Sequence, residues 1–208
     1  MEYLDIYDEN ENYIGKEERG IVHRDALWHK TVHCWLYDKQ GNVYFQIRKK
    51  EDKLYTTASG HIMAGETVKQ GFGREIKEEI GIDVNYEEAT FVYVYKFVMD
   101  KEKSDGTVFR DRAFSNAYIC EYEGKDEDFK FDPEELNGLV KVNAKEALDL
   151  FQKEHGRIRG TVIRYGEEKN TIENKIICFE DFLVNKGETA IEKYGKIMNK
   201  IIDVTEVK

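Results

Sequence analysis

Residues 60–82 read GHIMAGETVKQGFGREIKEEIGI. Between Glu66 and Ile80 there is no proline, and Val68, Phe72, Ile76 and Ile80 recur at every fourth position, the spacing of an amphipathic helix with one buried face. Gly81 stands where a helix ends on a left-handed glycine, while Gly71 and Gly73 weaken the first turns. Glu75, Glu78 and Glu79 are spaced i, i+3 and i+4, so their carboxylates leave the helix on one face and repel one another by roughly 0.2–0.5 kcal/mol per close pair. A cluster of hard oxygen donors of this kind suits Mg²⁺ or Mn²⁺. Ile76 and Ile80 face the other way and anchor the helix. Gly60 opens a tight loop whose backbone can come close to a metal or a substrate, and Arg74 has the fork of donors needed to orient a neighbouring carboxylate.

Written as a pattern the stretch is G-x5-E-x7-R-E-U-x-E-E-x-G-U, with U aliphatic, carried by Gly60, Glu66, Arg74, Glu75, Ile76, Glu78, Glu79, Gly81 and Ile82. It resembles the Nudix box at every position. The resemblance implies an α/β (α+β) fold, an α/β/α sandwich around a mixed sheet. It also implies a metal-dependent pyrophosphohydrolase that uses Mg²⁺ or Mn²⁺ to activate a water against a diphosphate bond in a nucleoside-diphosphate-X or similar small molecule. By the same resemblance Glu75, Glu78 and Glu79 are metal ligands, the Gly60 carbonyl is a further donor, and Glu66 braces Arg74 or the loop. The general base is either a box glutamate or one outside it, with Glu134 and Glu135 beside Pro133 as the outside choices. A homodimer is common in the family.

The upstream sequence, HRDALWHKTVHCWLYDKQGNVYFQIRKK at 23–50 followed by DKLYTTASGHIMAGE at 52–66, resembles the branch of the family related to isopentenyl-diphosphate isomerase. That resemblance implies a metal site at His23, His29, His61 and Glu135, with His33 competing for the place of His23 and substrate contact competing as the role of His61. One departure speaks for hydrolysis: the isomerase needs a cysteine where this chain has Ser59, and a serine hydroxyl is far less acidic than a thiol of pKa about 8.5. The intact REUxEE segment is a second. A nucleotide-binding sensor without activity is a third reading, and it predicts a broken box. Arg48 and Lys53 flank the loop before the box and can bind substrate phosphate. Trp28, Trp35 and Tyr55 can stack a base, although aromatic side chains in strands more often fill cores.

Outward from these motifs, residues 3–8 alternate as a strand, residues 31–38 and 43–48 read as a hairpin about Gln40-Gly41-Asn42, and residues 90–99 and 112–122 as a long hairpin about Ser104-Asp105-Gly106. Leu136–Val142 reads as a final strand and Asn143 as the cap of a helix over 144–153. Residues 9–24 and 126–132 read as polar links, and β character ends between Gly156 and Gly166. Two helices follow, one marked by Ile172, Ile176, Phe179 and Leu183, the other by Ile191, Tyr194, Met198 and Ile201. The expected organisation is a hydrolase domain over 1–165 and a C-terminal helical extension over 166–208, packed on the domain or at a dimer interface.

The chain has 208 residues, 40% hydrophobic and 36% charged, with a formal net charge of −10. A core of one good-sized domain is affordable at this length, and the acidic balance argues against non-specific nucleic-acid binding. Three cysteines far apart, Cys34, Cys120 and Cys178, read as reduced thiols of a cytoplasmic protein. The N-terminal residues lack an apolar leader core, and no run is long enough to span a membrane.

Overall fold

The computed structural model describes residues 1–166, 168–185 and 188–207. In chain order the elements are β1 (Tyr3–Tyr7), β2 (Tyr13–Glu18), α1 (Arg19–Arg24), β3 (Trp28–Tyr37), β4 (Asn42–Arg48), β5 (Leu54–Tyr55), β6 (Ala58–His61), α2 (Val68–Ile80), β7 (Thr90–Glu102), β8 (Val108–Glu121), β9 (Leu136–Asn143), α3 (Ala144–Lys153), β10 (Arg157–Arg164), β11 (Thr171–Cys178) and α4 (Ala190–Glu206). The strands form one hydrogen-bonded network with a spine in the order β11-β10-β9-β4-β3-β1-β2, while β8 joins β3 in parallel and carries β7 on its far side. The other pairings are antiparallel, so the sheet is mixed as expected.

Alternation along β3 divides the core. Val32, Cys34 and Leu36 pack with Phe72, Ile76 and Ile80 of α2 on one face. Trp35 and Tyr37 face the other way, into a core shared with Phe151 of α3 and with Tyr194, Ile197, Met198 and Ile201 of α4. The result is the expected helix–sheet–helix sandwich. α2 starts with its apolar pattern at Val68, two residues after the expected span opens at Glu66, because Thr67 caps it: Thr67 accepts from the Gln70 backbone and the Gln70 side chain accepts in return from the Thr67 backbone. It ends at Gly81, φ +70°, where an added Cβ would lie 2.5 Å from the Lys130 Cβ.

The hairpin expected between β3 and β4 is only its tip. Tyr37 pairs with Val43, and beyond that point the strands part. The gap holds residues 54–61: β5 pairs with β4 and β6 with β3. Between them Thr56 and Thr57, both 0% exposed, bridge the two sides with their hydroxyls. Thr56 donates to the Cys34 carbonyl at 2.9 Å; Thr57 accepts from the Leu36 N–H at 2.9 Å and donates to the Tyr44 carbonyl. Buried polar groups need such partners, and here the partners are backbone groups that a closed β3–β4 ladder would have paired together.

Four segments differ from their sequence reading. Residues 13–24 form β2 and α1, whose burial rests on few side chains, chiefly Val22 and His23. In 126–132, Phe129 and Phe131 are buried against α2. β character does not end at Gly156, since β10 pairs with β9 and with β11. The helix expected over 172–183 is instead β11 and a short 3-10 turn at Phe179–Asp181. Ile172 and Ile176 match a helical spacing yet both are exposed, whereas Ile177 is the residue that enters the core. β-branched Thr171, Ile172, Ile176 and Ile177 favour the strand. α4 is helical as expected, capped by Thr189 and Glu192, and it packs inside the α3 core. Ile197→Ala should therefore cost about 2–5 kcal/mol, as for other buried aliphatic truncations. Urea unfolding of the full chain checks this, and a cost near zero would mean that α4 is an appendage.

Candidate functional site

The splayed strands set residues 58–61 against the middle and end of α2. Ser59 N–H donates to the Glu79 Oε2 at 3.0 Å, and Gln46 of β4 reaches the same oxygen at 3.4 Å. Gly60 lies directly on Glu75: a Cβ there would be 2.0 Å from the Glu75 carboxyl carbon. Glycine at 60 thus leaves the Glu75 carboxylate room against the backbone, and a side chain there would displace it.

Arg74 organises the near end. Its guanidinium makes two hydrogen bonds to Glu66 at 2.9 Å, one to Glu75 at 2.7 Å, one to Glu78 at 3.0 Å and one to the His61 carbonyl at 2.8 Å. Glu66 also accepts from the Met63 N–H at 2.9 Å. The late start of α2 explains this, since Glu66 precedes the helix and can turn back on it. Both alternatives expected for Glu66 are present: it braces Arg74 and the loop. Hydrogen bonding to Arg74 holds the Glu66 carboxyl below the usual carboxylate range, and the same carboxylates raise Arg74.

Glu75 and Glu79 are displaced upward. Burial is the main cause for each; Arg74 opposes it at Glu75, the Ser59 N–H opposes it at Glu79, and Glu135 pushes both up. Glu135 sits on the turn after Pro133, where it is itself raised by burial and then by Asp132 and Glu78. It therefore belongs to the box cluster. Glu134 is exposed beside it. Arg48 lies close enough to lower Glu79 and also bonds Glu51 at 2.9 Å. Lys53 instead donates to the Glu180 carbonyl, tying the loop to the 3-10 turn before α4. Glu66, Glu75 and Glu78 thus surround the Arg74 guanidinium, while Glu79 and Glu135 add their charge to Glu75 with Arg48 nearby, and this excess of oxygen donors fits a hard divalent cation.

A second cluster stands behind His61. His23 of α1, His29 of β3 and His61 of β6 bring ring nitrogens within 4.8 Å of one another. His23 donates from Nδ1 to the Arg110 carbonyl at 3.0 Å and His29 from Nδ1 to the Leu27 carbonyl at 3.1 Å. Both rings therefore turn Nε2 inward, and the His23 and His61 Nε2 atoms are 3.1 Å apart. The His29 Nε2 and the Asp111 Oδ1 are 3.5 Å apart, buried, and without hydrogen bonds. Burial depresses His29 to about 4 and takes His61 well below its ordinary range, so these rings are neutral at pH 7. Imidazoles fixed by backbone carbonyls with Nε2 turned inward, beside an orphaned carboxylate oxygen, fit a transition metal.

Of the expected quartet, His23, His29 and His61 come together; the carboxylates against them are Asp111 of β8, 3.5 Å from the His29 Nε2, and Glu2, 3.7 Å from the His61 Nδ1, while Glu135 acts on the charge of Glu75 and Glu79. His33 is excluded from the cluster: it lies on the same face of β3 as His29 but four residues further along, 2.9 Å from the Tyr95 hydroxyl. Asp111 carried no signal in the sequence, since only the parallel pairing of β8 with β3, which sets Ala113 opposite His29, brings it there. Trp35 is core, Trp28 packs on Phe114, and Tyr55 lies under Arg48 and Lys193.

The sequence pattern of the NUDIX domain family matches residues 27–162, which span β3 to β10. The chain belongs to the Nudix hydrolase family. An uncharacterised Nudix hydrolase of Clostridium acetobutylicum is 34% identical over 194 residues, 89% of this chain and 91% of its own. An isopentenyl-diphosphate delta-isomerase of Serratia proteamaculans is 28% identical over 98 residues, covering 44% of this chain and 55% of its own. Among solved structures, DR0079 of Deinococcus radiodurans shares the fold at a TM-score of 0.53 and 17% identity, over 73% of this chain and 89% of that one. Membership makes this Nudix hydrolase an enzyme of the pyrophosphohydrolase type, with the box at the junction of β6 and α2. No helix among the described residues is long and apolar enough to cross a membrane.

Gly60→Ala tests the close approach. It should leave the far-UV circular dichroism unchanged and reduce hydrolysis at least about tenfold, because the Cβ displaces Glu75. Unchanged hydrolysis would mean that the Glu75 carboxylate has room to move without cost.

Proposed function

We propose that this Nudix hydrolase cleaves a diphosphate bond in a nucleoside-diphosphate-X or a closely related small molecule, using Mg²⁺ or Mn²⁺. The observation that carries the reading is the buried pair Glu75 and Glu79, pressed against Gly60 and Ser59, with Arg74 bonded to Glu75 and Arg48 near Glu79. Glu75, Glu78, Glu79 and the Gly60 carbonyl would hold the cation. A divalent ion there lowers the pKa of water and neutralises diphosphate charge. Arg74 and Glu66 keep the carboxylates in place, and Arg48 receives a substrate phosphate at the rim. His61 and Lys53 stand at the edges of the same loop, His61 beside the box and Lys53 on the α4 side. Glu135, close to the cluster and raised by burial, takes the proton of the attacking water. Three free cysteines, two of them buried, suit a reducing cytoplasm.

Glu79→Gln should lower turnover by about two orders of magnitude or more with the fold retained. The assay is metal-dependent product release from nucleoside diphosphates, nucleotide sugars, dinucleotides and isopentenyl diphosphate, with an EDTA control. Wild-type rates in Glu79→Gln would remove it from the metal site.

The histidine cluster supports a second metal centre at His23, His29, His61 and Asp111, and keeps the isomerase as the alternative activity. Ser59 stands against isomerisation, having no thiol to move the proton. His29→Ala should lose one equivalent of Mn or Zn in elemental analysis of the purified protein while box-dependent Mg²⁺ activation persists. Equal metal content in both proteins would rule out the second centre, and isomerised isopentenyl diphosphate from the wild type would favour the alternative.

A further inference from the structure

β11 is the last strand of the spine. It pairs with β10 from Cys178, opposite Arg157, to Thr171, opposite Arg164, and no described residue pairs with its other edge. Residues 171–176 are all exposed, including Ile172 at 41% and Ile176 at 53%. Natural edges of this length are usually blunted by proline, bulges or unopposed charge. Here the register with β10 is unbroken and the only proline of the chain lies elsewhere.

The edge is also self-complementary. Residues 172–176 read Ile-Glu-Asn-Lys-Ile. If two such strands run antiparallel about a twofold axis through Asn174, Glu173 of each chain faces Lys175 of the other, and Ile172 faces Ile176. Alternation puts the four isoleucines and both asparagines on one face and the four charges on the other. The isoleucine face is opposite the α3–α4 core, because Ile177, one residue on, points into that core. It continues a groove of about 530 Å³ that includes Arg159, Thr161, Asn174 and Ile176.

Only this register matches. Moving the axis to Glu173 or Lys175 sets like charges opposite each other, and moving it half a step sets each charge against asparagine or isoleucine. In the single chain Glu173 and Lys175, about half exposed, bond one another along their own strand at 2.6 Å; pairing exchanges that contact for two cross-strand ones.

We propose that β11 is a homodimer interface, where a second copy of this chain adds its own β11 edge to edge about Asn174 and joins the two sheets into one. The interface is isologous, as a twofold requires. It lies on the spine beyond β9 and β10, away from the box and from the histidine cluster, so it adds to the hydrolase reading without depending on it.

Charge reversal tests it. The full-length wild type should sediment as a dimer in concentration-dependent ultracentrifugation. Lys175→Glu and Glu173→Lys should each weaken self-association at least about tenfold, because each sets like charges opposite. Mixing the two variants should restore the dimer, since one strand then carries two acids and the other two bases. The double swap Glu173→Lys with Lys175→Glu should restore it within one chain type. Circular dichroism and hydrolysis rate, read on every variant, show that the fold is intact. A wild type that is monomeric up to about 100 μM, or a dimer indifferent to single reversal, overturns the proposal, as does a mixture that stays monomeric.

Discussion

The hydroxyl groups of Thr56 and Thr57 keep β3 and β4 apart, and the catalytic end of the molecule is arranged around that separation. An antiparallel pair joined by a short turn such as residues 38–41 would normally zip along its length. Here the two threonines, without solvent contact, take up backbone groups from both strands. Neither hydroxyl could be lost cheaply, since each removal leaves buried donors or acceptors unpaired at about 1–3 kcal/mol. The wedge delivers Ala58–His61 as a short strand on β3, and that strand is the floor of both clusters.

Successive residues of that strand serve different centres. The Ser59 amide and the Gly60 backbone meet Glu79 and Glu75, while the His61 ring turns to His23 and His29. The two centres differ in chemistry. One is a set of carboxylates crowded around Arg74, desolvated enough to raise Glu75 and Glu79. The other is a set of imidazoles, of which burial keeps His29 and His61 neutral. Hard-cation and transition-metal preferences separate along the same line. Arg74 links them, because the guanidinium that restrains Glu66, Glu75 and Glu78 also holds the His61 carbonyl.

The box was legible because its requirements are local. Helical period, carboxylate spacing, Gly81 as the cap and Gly60 beside a carboxylate all fall within about six turns of chain. The long hairpin of β7 and β8 and the cap at Asn143 were legible for the same reason. β11 misled because Ile172 and Ile176 satisfy the helical spacing by coincidence, and exposure, which decides between a core stripe and an edge strand, is not written in one segment. β2 and α1 were missed since few of their side chains are buried, leaving little apolar pattern to read.

The sequence by itself determined the chemistry of the box, the identity of its donors and the family, since these depend on residue types at fixed spacing along one helix and its entry loop. Tertiary structure alone decided that Asp111 lies against the histidines and that Glu135 stands near enough to act on the box carboxylates. Both choices depend on strands distant in the chain, β8 laid parallel to β3 and the Pro133 turn folded onto the end of α2. Such long-range pairings are set by burying two faces of one sheet at once, a constraint that no window of sequence contains.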